Sequence, residues 1–197
     1  MSPAKKVSLT FDDGPNPPFT NQILEILKKE KIKATFFVCG ANVKRHPEVV
    51  KKIAQEDHLI GNHTFSHQRI PTLLGLNYQE IIKTQELIIK LTSQAEKLFR
   101  PPWGHMPFWL KNKLIKDGFK IIDYDDSGHD WKRNITADQI VQNIIKNAKN
   151  NQIILLHDGH NTEKKVDRSK TVKALPQIID KLKKLGFEFT SSLDLMN

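Results

Sequence analysis

Two neighbouring carboxylates are the first residues in this chain whose types and spacing suit chemistry. Asp12 and Asp13 lie in the segment TFDDGP, directly after an apolar stretch and before a Gly-Pro break. One carboxylate could bind a metal ion while the other works as a base. A turn cap beside a solvated Asp would give the same local pattern, so DDGP alone leaves both interpretations open.

A pair of histidines offers a second indication of a metal site. His63 and His67 lie four residues apart in HTFSH. On one helical turn this spacing points both imidazoles the same way, so that both can bind one ion. With a carboxylate from Asp13 they would supply three ligands and leave a position open for water, which is typical of a catalytic metal site. A pair standing alone would favour surface or hydrogen-bonded histidines.

Three further polar segments also follow apolar stretches. RPPWG contains Arg100, whose guanidinium is suited to orienting a carboxylate. DSGHDW contains Asp126 and Asp130, and the run IILL is followed directly by His157. At that place the imidazole could donate a proton to a leaving group. RPPWG and DSGHDW are each a weak signal when taken alone.

The elements that must position these residues alternate along the chain. Runs of β-branched and apolar residues predict seven strands, at residues 7–11, 33–38, 58–61, 97–99, 119–124, 152–156 and 187–190. Helical spacing predicts six helices, at residues 21–31, 47–55, 77–91, 107–116, 137–149 and 171–184, the last of them begun or kinked at Pro176. Capping boxes are predicted at Asn77 with Glu80 and at Thr136 with Gln139.

This alternation, with no break in composition, predicts one α/β domain over residues 1–197. Its sheet should be mostly parallel and either open or closed into a barrel. All five polar segments follow predicted strands, and the loops after parallel strands share one face. We therefore expect the five segments to converge on a single cleft.

Composition excludes several classes of protein. The 197 residues include no apolar run near the roughly 18 residues of a membrane helix, so no membrane span is expected. Cys39 is the only cysteine, which excludes an intrachain disulfide and predicts a packed core thiol. The net charge of +9 is spread over lysine pairs on helices. This indicates solvated faces and no nucleic-acid partner, and steep salt-dependent DNA binding would contradict it.

Together and in this order, TFDDGP, HTFSH, RPPWG, DSGHDW and LLHD resemble the five motifs of the polysaccharide deacetylase family. This family is also called the NodB homology domain or carbohydrate esterase family four, and the resemblance covers almost the whole chain. It implies a distorted (β/α)7 barrel that removes acetyl groups with a divalent metal. Zn2+ is the usual ion, with Co2+, Mn2+ or Ni2+ as substitutes.

The resemblance also implies a role for each matching residue. Asp13, His63 and His67 match the metal ligands. Asp12 matches the general base that activates the attacking water, and Arg100 matches the residue that holds this base in place.

On the other side of the bond to be cleaved, His157 matches the general acid. Asp130 matches the carboxylate that orients this acid, because Trp131 follows it. The fourth motif is more widely spaced than we expect, so Asp126 remains a rival for this role.

The resemblance implies a substrate groove as well. Trp103 stands where the family more often has Tyr, at the position whose backbone N–H helps to hold the oxyanion. Trp131 and Leu155 match the apolar wall that receives the acetyl methyl group.

The implied substrate is an acetylated glycan such as a chitin oligomer, peptidoglycan or another glycan that contains N-acetylglucosamine. An acetyl-xylan-type esterase is one alternative, and a sugar-binding relative without turnover is another. The presence of both Asp12 and His157 counts against an inactive relative. The family favours a secreted or cell-envelope protein, yet only six residues precede the first predicted strand, so no signal peptide is readable.

Overall fold

The computed structural model describes residues 4–196, which contain eight strands and eight α-helices. The strands are β1 Lys5–Gly14, β2 Thr35–Val38, β3 Leu59–Asn62, β4 Leu98–Phe99, β5 Lys120–Ile121, β6 Asp126–Ser127, β7 Gln152–His157 and β8 Phe187–Phe189. The helices are α1 Phe19–Glu30, α2 Gly40–Arg45, α3 Pro47–Gln55, α4 Arg69–Leu74, α5 Tyr78–Thr92, α6 Phe108–Lys116, α7 Ala137–Lys146 and α8 Ser169–Lys184. All predicted elements correspond to observed ones. The sequence analysis missed β6, α2 and α4, which are too short to show a period.

The strands form one parallel sheet in the order β5-β4-β3-β2-β1-β7-β6, and β8 pairs with the first residues of β1. Within residues 4–196, no pairing joins β5 to β6 across the two ends of this order. The sheet is therefore curled into a barrel that stays open. This confirms the predicted single α/β domain of distorted barrel type, with eight strands where seven were predicted.

The helices bury one apolar face each against this sheet. The main core contains Leu24 of α1, Ile140 of α7 and Ile178 of α8. α8 begins at Ser169 and continues through Pro176, so of the two predicted alternatives, a start or a kink at Pro176, the start is wrong. The proline faces solvent, where water can bind the backbone carbonyl that loses its helical partner. No helix within residues 4–196 has the length and hydrophobicity needed to cross a bilayer.

One of the two predicted capping boxes is present. The Gln139 N–H donates to Thr136 Oγ1 at 3.2 Å, and the Thr136 N–H donates to Gln139 Oε1 at 2.9 Å. The box predicted at Asn77 is wrong, because its side chain makes no capping hydrogen bond. The Glu80 carboxylate instead accepts the backbone N–H of Ser66 at 2.8 Å and the Ser66 hydroxyl. Glu80 thereby fixes the loop that carries the histidine pair.

His58, directly before β3, is a buried histidine whose protonation opposes folding. Its Nδ1 accepts the Ala34 N–H at 3.1 Å, and its ring lies edge-on to Phe36. Burial, with the nearby charge of Lys33, lowers the pKa of His58 from 6.5 to about 4. The unfolded chain therefore takes up the proton first as the pH falls. The stability that neutral His58 provides is present above pH 6.5 and is lost between pH 6.5 and about 4.

We expect His58→Asn, which keeps an acceptor oxygen for Ala34, to reduce this acid sensitivity. Between pH 7 and pH 5, the free energy of unfolding of the wild type should fall by about 2 kcal/mol more than that of the variant. The reason is that protonation favours the unfolded state only in the protein that contains His58. Urea titrations at the two pH values measure this change. A difference that stays constant between pH 7 and pH 5 would contradict the role of His58.

Candidate active site

The carboxyl ends of the strands and the loops after them meet in a cleft of about 230 Å3. Side chains from all five polar segments line it, among them Asp12, His63, Arg100, Trp131 and His157. This confirms the predicted convergence, because residues far apart in the sequence are brought together where parallel strands end.

β1 directs both Asp12 and Asp13 into the cleft, although successive side chains of a regular strand point to opposite faces. The pairing of β1 with β2 shifts register between Asp12 and Gly14, which marks a β-bulge. Asp13 has a φ of 75°, a left-handed conformation that Asp tolerates better than most residues. Bulges of this kind re-aim a side chain, and here both carboxylates are buried at the same site.

Backbone and side-chain donors hold Asp13 in this conformation. The Asn42 side chain donates to the Asp13 carbonyl at 2.6 Å, and the Asn161 N–H donates to Asp13 Oδ2 at 2.9 Å. A Cβ atom at Gly159 would collide with the same carbonyl, so this position requires glycine. Asn42 and Asn161 lie outside the five segments, and the sequence analysis did not identify them.

His63 and His67 lie in the loop after β3, so the predicted helical turn is wrong. Thr64 and His67 have φ values of 64° and 56°, and the loop brings the two rings to a centroid separation of 4.9 Å. A spacing of four residues suits this loop as well as a helix. His63 Nδ1 lies 2.8 Å from the Arg100 carbonyl oxygen, which leaves its Nε2 for the cleft.

Asp13, His63 and His67 form a buried group that can hold a metal ion. One ligand atom from each lies within 4.8 Å of the others. Asp13 Oδ1 is 3.5 Å from His63 Nε2 and 3.1 Å from His67 Nε2. Burial lowers the pKa of His63 to about 4, so its imidazole is neutral at pH 7. Neutral imidazoles with a carboxylate are the donors that a divalent ion requires, and the group fits such an ion.

The charge of Asp13 is favoured by its neighbours. Burial acts to raise the pKa of this carboxyl, but the nearby imidazoles, that of His67 foremost, lower the pKa below its usual value on balance. Asp13 is therefore ionised at neutral pH, as a metal ligand must be.

Cys39 is buried beside the metal-ligand group. Its Sγ lies 3.9 Å from Asp13 Oδ1 and 3.8 Å from the His63 carbonyl oxygen. Burial and the neighbouring carboxylates raise the pKa of Cys39 well above its usual value, so the thiol stays neutral. The predicted packed core thiol is confirmed.

Arg100 fixes Asp12. Its Nη1 donates to Asp12 Oδ1 at 2.8 Å, and the guanidinium lies 4.1 Å from the centroid of the Phe37 ring. The other acceptors of this buried guanidinium are Thr10 Oγ1 and the carbonyl oxygens of Ile122 and Asp123. Asp12 Oδ2 lies 3.6 Å from His63 Nε2, at the edge of the metal-ligand group.

His157 and Asp12 are register partners on neighbouring strands, which lie about 4.8 Å apart. Asp130 Oδ1 is 2.8 Å from His157 Nδ1, and Asp130 Oδ2 accepts the His157 backbone N–H at 2.8 Å. Burial acts to lower the pKa of His157, but Asp130 raises it above its usual value on balance. The carboxylate of Asp126 accepts the N–H of Ser127 instead. The contacts therefore favour Asp130 over Asp126.

Two residues that support Asp130 were not predicted. The Thr171 hydroxyl donates to Asp130 Oδ2 at 2.8 Å, and Arg168 Nη1 donates to the Asp130 carbonyl oxygen at 3.0 Å. Both are buried at the start of α8. Thr171 could have been identified from the sequence, because it is a polar residue on the otherwise apolar, buried face of this amphipathic helix.

Trp103, Trp131 and Leu155 line the cleft, where the resemblance placed them. The Trp103 ring lies 5.2 Å from that of His67, and the Trp131 ring lies 5.3 Å from that of His157. Both indoles are partly exposed, at 52% for Trp103 and 38% for Trp131. Tyr124 also lines the cleft, and the sequence analysis identified it only as a strand residue.

Known proteins resemble this chain over nearly its whole length. Residues 1–122 match the family model described as polysaccharide deacetylase. The chain is 40% identical to a peptidoglycan-N-acetylglucosamine deacetylase of Bacillus cereus, over 94% of this chain and 66% of that protein. It is 34% identical to a chitooligosaccharide deacetylase of Rhizobium leguminosarum bv. trifolii, over 95% and 90%. The structure of the peptidoglycan deacetylase PdaC of Bacillus subtilis matches with a TM-score of 0.85 at 33% identity, over 98% and 91%.

Proposed function

Because the chain belongs to the polysaccharide deacetylase family, an enzyme family whose Asp-His-His group is intact here, we propose that it removes N-acetyl groups from glycans containing N-acetylglucosamine and releases acetate. The observation that carries this proposal is the placement of Asp12 and His157 in register on neighbouring strands beside that group. Relatives named for peptidoglycan and for chitooligosaccharides support the substrate class.

Asp13, His63 and His67 would hold the metal, and we propose Zn2+. Two imidazoles and a carboxylate suit this borderline ion, although Co2+, Mn2+ and Ni2+ accept the same donors. When bound, a divalent ion supplies Lewis acidity, which polarises the acetyl carbonyl and makes water acidic near neutral pH. His63 is oriented for this by the Arg100 carbonyl at its other ring nitrogen.

Asp12 is the proposed general base. Arg100 occupies its Oδ1, so Oδ2 is left to accept the proton of the attacking water. The buried guanidinium is itself fixed by several acceptors, which keeps the base in one orientation. Arg100 thus acts as a positioning residue.

His157 is the proposed general acid. Asp130 at Nδ1 fixes the ring so that Nε2 faces the cleft, and the raised pKa of His157 keeps more of the imidazolium at neutral pH. An amine is a poor leaving group unless it is protonated, so amide cleavage needs this proton more than ester cleavage does.

The remaining cleft residues would orient the substrate. We propose that the backbone N–H of Trp103 donates to the developing oxyanion, and that Leu155 and Trp131 receive the acetyl methyl group. The partly exposed indoles suit a sugar ring lying over an aromatic face.

We expect the zinc-loaded enzyme to release acetate from chito-oligomers and peptidoglycan fragments faster than from acetylated xylan. Acetate release should also be faster from longer oligomers than from the free monosaccharide, because the oligomers make more contacts with the cleft. Measuring acetate and locating the free amine by mass spectrometry tests both statements.

The variant His157→Ala provides the control for amide preference. It should lose far more amide hydrolysis than ester hydrolysis, since an alkoxide leaves with less need of an acid. Acetate from xylan alone would support the esterase instead. Acetate from none of the substrates would favour a sugar-binding relative without turnover.

A further inference from the structure

A second cavity, of about 310 Å3, adjoins the cleft. Trp131 and His160 line both cavities, so the two share a wall. Four cationic side chains line the second cavity, which we call the basic pocket: Lys132, Arg133, Arg168 and Lys170.

The positive charge of the basic pocket exceeds its negative charge, because, among the residues that the structure describes, four cations and only two carboxylates, Asp130 and Asp167, line it. Within residues 4–196, none of its four cations lies within 4.0 Å of a carboxylate oxygen. Asp130, close to Arg168, and Asp167, close to Lys170 and Arg168, offset part of the positive charge, and both also have other hydrogen-bond partners. Asp130 binds His157 and Thr171, and Asp167 accepts the backbone N–H of Ser169 at 2.8 Å.

Hydrogen bonds to backbone carbonyl oxygens fix two of the four cations, Arg168 and Lys170. Arg168 is 5% exposed, and its guanidinium donates to the carbonyl oxygens of Gly159 and Asp130 at 2.6 and 3.0 Å. Lys170 Nζ donates to the Arg133 carbonyl oxygen at 3.1 Å, which joins the loop after β6 to the start of α8.

We infer that the basic pocket binds a carboxylate carried by the glycan, next to the sugar that is deacetylated. This rests on the proposed function and specifies its substrate. Lys132, Arg133 and Lys170 are exposed, so their charged groups are open to a ligand that extends from the cleft past Trp131 and His160. Chitin oligomers carry no anionic group. Peptidoglycan carries the lactyl carboxylate of N-acetylmuramic acid, or the carboxylates of a peptide attached there, and the pocket therefore favours peptidoglycan.

The test compares glycans that differ in this charge alone. A peptide-free peptidoglycan tetrasaccharide with free lactyl carboxylates should have about fivefold higher kcat/KM at low salt than the same glycan with these groups amidated. Salt at about 0.5 M should remove the difference by screening. A peptide-bearing tetrasaccharide, compared with its amidated form, shows whether peptide carboxylates serve the same pocket.

Charge variants locate the effect. Lys132→Gln with Arg133→Gln should abolish the preference for the acid and leave activity on chitotetraose unchanged. Lys28→Gln with Lys29→Gln removes the same charge from the exposed face of α1 and should keep the preference. Equal kcat/KM for acid and amide in the wild type, or loss of the preference in both variants, would overturn the inference.

The inference can fail separately from the proposed function. Equal acetate release from charged and neutral glycans would be consistent with the proposed function, but it would contradict the inference that the basic pocket binds a carboxylate. Calorimetry on the Asp12→Asn variant measures the affinity for the acid and for the amidated glycan without turnover. This measurement would test the inference even if the enzyme were inactive. Tighter binding of the acid supports the inference, and equal binding contradicts it.

Discussion

The double variant His63→Ala, His67→Ala should contain no stoichiometric divalent ion and release no measurable acetate. Two of the three donors within 4.8 Å of one another disappear, and Asp13 alone cannot hold the ion against water. Elemental analysis after dialysis measures the metal, and acetate release measures the activity. Circular dichroism checks that the fold is retained.

A matched double variant, His46→Ala with His105→Ala, removes two imidazoles outside the metal-ligand group and should keep the ion and the activity. Active wild-type protein without stoichiometric metal would contradict the metal assignment. Unchanged metal content in the variant that lacks both His63 and His67 would contradict it too.

Asp12→Asn should retain the ion yet lose about 10²- to 10⁴-fold in kcat, the usual effect of removing a general base. The amide oxygen can still accept from Arg100, but it cannot take a proton from water. Because the buried Arg100 then lacks its charge partner, the Tm should fall as well, and kcat is measured well below it. Metal content, Tm and kcat together separate loss of the base from loss of the site.

Asp126→Asn is the control for this prediction, because Asp126 contacts Ser127 and not His157. It should leave kcat near the wild-type value. If Asp12→Asn loses the ion while Asp13→Asn retains it, the roles of the two carboxylates are exchanged.

The location of the site could be predicted from the sequence, whereas its local geometry could not. The alternation of strands and helices places all five polar segments after strands, and parallel strands bring those loops together. The direction of the Asp13 side chain could not be predicted from this pattern. In a regular strand, successive side chains alternate, so Asp12 and Asp13 would point to opposite faces of the sheet. The bulge that overrides the rule arises in the pairing with β2, which no pattern within β1 specifies.

The histidine pair illustrates a different limit of the sequence. A spacing of four residues is satisfied by a helical turn and by a loop with positive φ at Thr64 and His67. Asn42 and Asn161 are identified only by their hydrogen bonds to Asp13, from segments 29 and 148 residues away. Contacts of this kind have no local period, so the sequence pattern does not reveal them.

The adjacency of Asp12 and Asp13 in β1 also limits how the site responds to thermal motion. The proposed base and a metal ligand are separated by one peptide unit, so their Cα atoms stay about 3.8 Å apart whatever the surrounding loops do. A shift of the loop that carries His67, or of the turn at Trp103, would change the coordination shell without changing this spacing. β1 pairs with β2, β7 and β8, which places the two carboxylates on a strand that opens only with the rest of the sheet.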